Sequence, residues 1–324
     1  MFREVRDARV AHRYHAALLT LVFALIASFS GIQTSAHAAP SDVPSFGSPS
    51  EAVGALIVAA KASDTGEILR ILGPGAEEVA TSGDPVADAA TREGFVNAYE
   101  KANELKVDGQ GRQILYIGTE YYPFPIPLVE VNGAWRFDTR AGLEEILTRR
   151  IGKNELAAIQ VLRAYVAAQS EYASVDRDGK GPQYARRIMS SDGKRDGLYW
   201  PDTDGQDPSP LGVLFARAQA EGYGGDKPAS ESSAPYHGYV YKILLRQGAS
   251  AEGGATDYVI NDRMIGGFAM VAAPAKYGNS GIMTFIVNQD GKVFERDLGE
   301  DTLRLVSQIN AFDPDASWRP TQTD

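Results

Sequence analysis

The sequence predicts an α+β protein of two modules: an N-terminal helical segment with a small antiparallel sheet, then a long helix packed on a second antiparallel sheet. Two observations carry this. Apolar residues recur three or four apart between residues 50 and 105 and again between 139 and 173, the spacing of amphipathic helices. Between 113 and 137 and between 236 and 297 the period changes to β-branched and aromatic runs broken by Asn-Gly and Asp-Gly turns. Helices followed by antiparallel strands, twice over, are the α+β order.

The elements follow from the N-terminus. Arg3 to Arg13 form a basic segment and Ala16 to Ile32 an apolar run, and Ala36-His37-Ala38 fits the A-x-A cleavage pattern. Residues 1–38 therefore read as a signal peptide, with Ala39 the first mature residue. The segment has no Arg-Arg pair, which selects the general secretory route and a periplasmic or secreted location. The rival reading is an uncleaved anchor, since 17 apolar residues just span a bilayer. No later run of 18 apolar residues follows, so no membrane span is expected after cleavage, and the remainder is expected to be soluble.

Residues 39–49 are Pro- and Ser-rich and read as a linker. In the N-terminal module, residues 50–150, Ser50 is expected to cap a first helix carrying Leu56 and Ile57. Ser63 or Asp64 caps a second with Ile68, Leu69 and Leu72, which Gly73-Pro74-Gly75 ends. A third helix is expected from about Val86 to Leu105, followed by the turn Asp108-Gly109. Strands are expected at Gln113 to Gly118, Ile126 to Val131 and Ala134 to Phe137, the last two joined by Asn132-Gly133, a strong hairpin signal. The prolines of Tyr121 to Pro127 make that stretch an edge strand or a polyproline-like crossing.

Asp138 or Thr139 caps a helix that Gly152 is expected to interrupt or end. Asn154 then caps the amphipathic helix Glu155 to Ala173, which opens the C-terminal module, residues 151–324. Residues 174–210 read as a long loop with a short helix at Tyr184 to Met189. A helix from Leu211 to Gly222, strands at Tyr236 to Leu245, Gly267 to Ala273, Gly281 to Val287 and Lys292 to Asp297, and a helix from Asp301 to Ile309 complete the chain.

Composition excludes more than it identifies. Of 324 residues, 32 are Lys or Arg and 42 Asp or Glu. Removing the signal, with Arg3, Arg6, Arg9, Arg13, Glu4 and Asp7, leaves 28 and 40, a net charge of −12. Neither module is basic, so nucleic acid and anionic lipid surfaces are poor partners. Cysteine is absent and His237 is the only histidine after residue 38, which excludes Cys/His zinc sites and thiol chemistry within one chain.

The strongest local chemistry is acidic. Asp202-x-Asp204-Gly-x-Asp207 sets carboxylates two and three apart on a turn, where they can converge on calcium, while Asp176-x-Asp178-Gly offers a weaker version. An EF-hand is ruled out, because counting from Asp176 its twelfth position is Arg187. Asx turns and caps explain most of these aspartates. Ser191-Asp192-Gly193-Lys194 matches S-x-x-K without the helical setting or partner motifs. His237 is expected to be a strand residue satisfied by a neighbour. Tyr116, Tyr121, Tyr122 and Phe124, with Tyr236, Tyr239 and Tyr241, read first as packing residues and second as a stacking surface for glycan or peptide. Glu77-Glu78 and Glu144-Glu145 read as solvated helix faces.

The phrases PYHGYVYKILLRQG (235–248), GGFAMVAAPAKYGNSGIMTFIVNQDGKVFERDLG (266–299), DGLYWP (196–201) and YYPFPIPLVEVNGAWRFDTRAG (121–142) resemble a bacterial exported family catalogued as domain of unknown function 2950. That resemblance implies an exported bacterial protein and carries no activity with it. The layout of the C-terminal half is also similar to the globular part of type II secretion pseudopilins, although the Ala-His-Ala signal and the intervening module depart from a filament subunit.

These readings converge on an exported envelope protein that binds or assembles, with an envelope protein or glycan as partner, no assigned catalytic residue and no cofactor other than calcium at Asp202, Asp204 and Asp207. The alternatives are a cofactor-free hydrolase using carboxylates in the cleft between modules, and a calcium-stabilised envelope protein.

Overall fold

The computed structural model describes residues 43–201, 207–223 and 235–322. The expected export signal lies outside the described residues. Four helices come first. α1 (Pro49–Lys61) begins at Ser48, whose Oγ accepts from the Glu51 amide at 3.1 Å while the Glu51 carboxylate accepts from Gly47 N at 2.8 Å. The cap is Ser48 and not Ser50, because Pro49 fits the first turn, where no N–H is needed. α2 (Thr65–Leu72) is capped by Asp64 and stops at Gly73, φ +72°. α3 (Ala76–Ala80) is a short turn of helix, and α4 (Pro85–Lys101) starts from Asp84, again with proline in the first turn.

The helix expected to reach Leu105 stops at Lys101. β1 (Asn103–Val107) follows, antiparallel to β2 (Gln113–Ile117), with Leu105 opposite Leu115. Glu-Leu-Lys favours helix, and pairing with a β-branched partner strand overrides that preference. β3 (Tyr122–Pro123) touches the end of β2, and β4 (Leu128–Val131) and β5 (Ala134–Phe137) form the expected hairpin, with Asn132 at φ +55° and Gly133 at φ +76°. The sheet order is β1-β2-β4-β5, with β3 beside β2. Phe46 exchanges backbone hydrogen bonds with Trp135 on β5, at 2.9 and 2.8 Å.

α5 (Thr139–Ala173) is one helix of 35 residues, capped by Asp138, about 52 Å long. Gly152 does not end it and Asn154 does not restart it. A helical glycine costs only about 1 kcal/mol, and Asn154 is buried, its Nδ2 donating to Ser280 O at 2.9 Å. The boundary expected near residue 150 therefore falls inside a continuous helix. Its first turns pack on the N-terminal elements, and Ala158, Ile159, Leu162 and Tyr165 enter the second core.

α6 (Gly212–Ala220) precedes β6 (Tyr239–Leu244), then the two-residue strands β7 (Arg246–Gln247), β8 (Thr256–Asp257), β9 (Val259–Ile260) and β10 (Arg263–Met264). β11 (Ala269–Pro274), β12 (Met283–Asn288), β13 (Phe294–Asp297), α7 (Thr302–Gln308) and β14 (Arg319–Pro320) complete the chain. The second sheet runs β14-β13-β12-β11-β6, all antiparallel. Every residue of β11 is buried, since both α5 and α7 pack against it. Tyr184 to Met189 is irregular, not helical, with bends between two isolated bridges: Tyr184 to Met264 and Met189 to Tyr199. Two pairings beyond the local segment replace one marginal helical turn.

Two hydrophobic clusters result. The first gathers α1, α2, β2, β4 and Ile126; the second gathers α5, β6, β11, β12 and the aromatic residues Tyr258 and Phe268. No helix among the described residues is long and apolar enough to cross a membrane.

Two glycines of α5 separate close packing from helix propensity. A Cβ on Gly142 would lie 2.5 Å from Pro125 O, whereas one on Gly152 would meet nothing within 4 Å. Gly142→Ala should lower stability by about 1–3 kcal/mol through overpacking, and Gly152→Ala should raise it by about 0.5–1 kcal/mol. Denaturant unfolding of both variants checks the pair; a loss at Gly152 would contradict the continuous helix.

Candidate functional site

Polar side chains collect where the two cores meet. Arg150, on α5, donates to Glu78 O at 2.7 Å, to Val79 O, and to Asn279 Oδ1 at 2.7 Å, while Asn279 Nδ2 donates to Glu78 O at 3.1 Å. Burial draws the Arg150 guanidinium below its ordinary range, and the nearby Asp88 carboxylate opposes that. The end of α3, the middle of α5 and the loop after β11 are thus tied by one cation.

Asp84 forms the second tie. It is 1% exposed, its Oδ1 accepts from the Ala87 amide at 3.1 Å as the α4 cap, and its Oδ2 accepts from Tyr223 Oη at 2.8 Å and Gly238 N at 2.9 Å. The Gly238 amide belongs to a two-residue turn, His237-Gly238, in which Tyr236 and Tyr239 exchange backbone hydrogen bonds. Both turn residues have positive φ, +51° for His237 and +73° for Gly238. Glycine is required at 238, because a Cβ there would sit 2.5 Å from Asn154 Nδ2 and 3.0 Å from Ser280 Cβ. A turn of this type usually carries Asn-Gly; histidine in the left-handed region is uncommon and is held here by its surroundings.

The histidine is therefore in a turn and not in a strand, and its neighbour is Glu221. His237 Nε2 lies 3.4 Å from Glu221 Oε2, and its ring packs on Tyr236 and Tyr223 at centroid distances of 4.1 and 5.8 Å. Desolvation lowers the His237 pKa, with Glu221 and Asp84 raising it and Lys153 and Arg217 lowering it further. Burial also pushes the Tyr236 phenol up, to about 12, and raises Tyr223, to which Asp84 adds by hydrogen bond and charge. Among the described residues no serine or threonine hydroxyl hydrogen-bonds His237, so the fold brings it a carboxylate without a nucleophile. Asp84 is the only carboxylic residue buried among the described residues. Its oxygens accept from three neutral donors, two backbone amides and one phenol.

A cavity of about 590 Å³ opens beside the Arg150 tie. Glu78, Lys276, Tyr277, Asn279, Asp301 and Arg304 are among its lining residues, and Glu300 also faces it. Arg304 pairs with Asp301 at 2.6 Å. Glu78, Glu300 and Lys276 form no ion pair among the described residues. The Tyr277 phenol is raised by desolvation and by its hydrogen bond to Asp297.

The residues singled out in the sequence are mostly elsewhere. Asp202 and Asp204 lie outside the described residues; Asp207 is exposed, its carboxylate 3.9 Å from Arg195 and its carbonyl accepting from Trp200 Nε1 at 3.1 Å. No group of three metal-ligating side chains converges among the described residues. Asp176 accepts the Gly179 and Gly181 amides at 2.9 and 3.0 Å, an Asx-turn role, and these backbone bonds hold its carboxyl below the usual range. Ser191 Oγ donates to Asp196 and accepts from Arg187, so it serves a loop and not an S-x-x-K dyad. Glu77, Glu78, Glu144 and Glu145 are all exposed. Tyr239 is fully buried, and Tyr121 and Tyr122 are exposed. Arg150, Asp84, Tyr223 and Asn279 carried no signal in the sequence, since the partners that tie them across the seam are 71 to 201 residues away, and Glu221 meets His237, 16 residues on, only through the fold.

A histidine with a lowered folded pKa is protonated more readily in the unfolded chain. Its contribution is present above the unfolded value of about 6.5 and is lost as pH falls through the lower folded value. Stability should therefore drop as pH falls below about 6.5, with a slope of at most about 1.4 kcal/mol per pH unit from this group. Asparagine tolerates positive φ, so His237→Asn should flatten the slope in that interval. Thermal unfolding against pH measures it, and an unchanged slope would remove His237 as the source.

No curated protein and no solved structure matches this chain, so the likeness of layout to pseudopilins gains no support. A family model described as "Protein of unknown function (DUF2950)" matches residues 44–321, which takes in both sheets, α5 and every residue of the seam. The chain belongs to that family of proteins of unknown function.

Proposed function

We propose that this protein is a non-catalytic binding component of the bacterial cell envelope, exported by its N-terminal signal, and that it takes a small polar ligand of mixed charge in the seam cavity. The observation that supports this reading is the cavity wall. Lys276, Glu78 and Glu300 have no ion-pair partner among the described residues, although each contributes to one space of about 590 Å³. A cavity of this size accommodates a small organic ligand. Opposite unpaired charges suit a ligand carrying both an amine and a carboxylate, such as a short peptide. Tyr277 and Asn279 add a phenol and an amide for orientation.

The test is thermal unfolding with the tripeptide Lys-Ala-Glu as probe and a neutral chitin oligomer as comparison. Peptide at ten times its Kd should stabilise the native state by about 1.4 kcal/mol. Lys276→Ala should remove that shift while leaving the midpoint of the free protein unchanged, because Lys276 is exposed. Stabilisation by the chitin oligomer alone, or a peptide shift that survives Lys276→Ala, would overturn the assignment.

A further inference from the structure

The first sheet has one bare edge. Phe46 meets β5 at the other end of the sheet, whereas among the described residues no strand flanks β1 on the side away from β2. Four of its five residues are exposed, with Val107 at 64%. A strand edge of unsatisfied backbone groups is a template for another strand.

The register says which groups are free. Gly118 N donates to Ala102 O and Asp108 N donates to Arg112 O, both at 2.9 Å, in the same register that sets Asn103 opposite Ile117. Antiparallel hydrogen-bonded pairs recur every second residue, so Glu104 and Lys106 direct their backbone groups to β2. Asn103, Leu105 and Val107 direct theirs to the open side. Side chains alternate as well. Leu105 packs on the first core, and Glu104 and Lys106 share the opposite face, where their charged ends are 3.1 Å apart and Lys106 lies over the Tyr116 and Tyr121 rings at 5.4 and 5.1 Å.

We infer that β1 pairs with β1 of a second copy of this chain, antiparallel and two-fold symmetric about Leu105, joining the two first sheets into one. In that register the free backbone groups of Leu105 bond to Leu105 of the second copy, and those of Asn103 and Val107 bond to each other across the axis. Glu104 of each copy then stands opposite Lys106 of the other, at the non-hydrogen-bonded positions where cross-strand side chains come closest. The short segment Asn-Glu-Leu-Lys-Val is thus complementary to itself in charge, which a shift of register by two residues in either direction would destroy. Leu105 and Val107 of both copies form one apolar strip beside the cores. An isologous contact of this kind closes at two subunits. Five residues a side make a small interface, so the dimer is weak and concentration-dependent.

Sedimentation of the purified protein up to about 1 mM reads the equilibrium, and the charge pairs give the decisive variants. Glu104→Lys and Lys106→Glu each put like charges opposite one another twice by symmetry, and each should weaken self-association by about tenfold. Mixing the two variants in equal amounts should restore dimer, as heterodimer, as should the double swap Glu104→Lys with Lys106→Glu in one chain. Circular dichroism melting shows that each variant is folded, since both positions are exposed. Hydrogen exchange at the Leu105 amide should slow as protein concentration rises. A wild type that stays monomeric throughout the series, or a dimer indifferent to both single charge reversals, would overturn the inference.

Discussion

The arrangement of the two cores depends on the carboxylate of Asp84. Its residue begins α4, its Oδ1 ends that helix's run of unsatisfied amides, and its Oδ2 reaches across the seam to Tyr223 and Gly238. Hydrogen bonds to an ionised group contribute about 1.5–3 kcal/mol each, and a buried carboxylate deprived of donors would be strongly unfavourable. With three donors it is satisfied while 1% exposed. The backbone of the His237-Gly238 turn cannot shift without taking one of those three donors away. The turn in turn sets the start of β6, the edge of the second sheet.

α5 supplies the other half of the constraint. A helix of about 52 Å spans both cores and presents a different face to each, which explains why its apolar residues do not form one clean stripe along its whole length. Where it passes from one core to the other, its side chains cannot be apolar on every side, and Arg150 and Asn154 occupy that interval. Both bond backbone carbonyls that the loop after β11 and the end of α3 leave without strand or helix partners. The seam is polar for this reason, and a polar seam does not close as tightly as a core, which is where the cavity lies.

The same packing explains why the candidate site is a set of loops and ends. Glu78 lies in the short α3, Lys276 to Asn279 between β11 and β12, and Asp301 and Arg304 about the start of α7. Rigid neighbours position them: β11 and β12 are buried almost throughout, and α5 holds the loop from the opposite side through Arg150. Chemistry that needs thiols or paired histidines has no residues to work with after residue 38. What the wall offers is charge, hydrogen bonding and one phenol.

The sequence by itself determined the secondary elements wherever a local rule governs them. Asp64 and Asp138 cap helices, Asn132-Gly133 closes a hairpin, and the run Tyr239 to Leu244 makes a strand, because each depends on residues within a few positions. The α+β class and family membership were legible for the same reason. Only the tertiary structure decided that Asn103 to Val107 is a strand, that Gly152 sits inside a helix, and that Tyr184 to Met189 is not helical. Each of these follows from a partner outside the segment itself, Leu115 across a hairpin or Ser280 and Met264 far along the chain, whose contribution exceeds a local preference of about 1 kcal/mol or less. The seam was illegible on the same grounds. Asp84 with Gly238, and Arg150 with Asn279, are 154 and 129 residues apart, and a charge shows its partner only after both have been taken out of water.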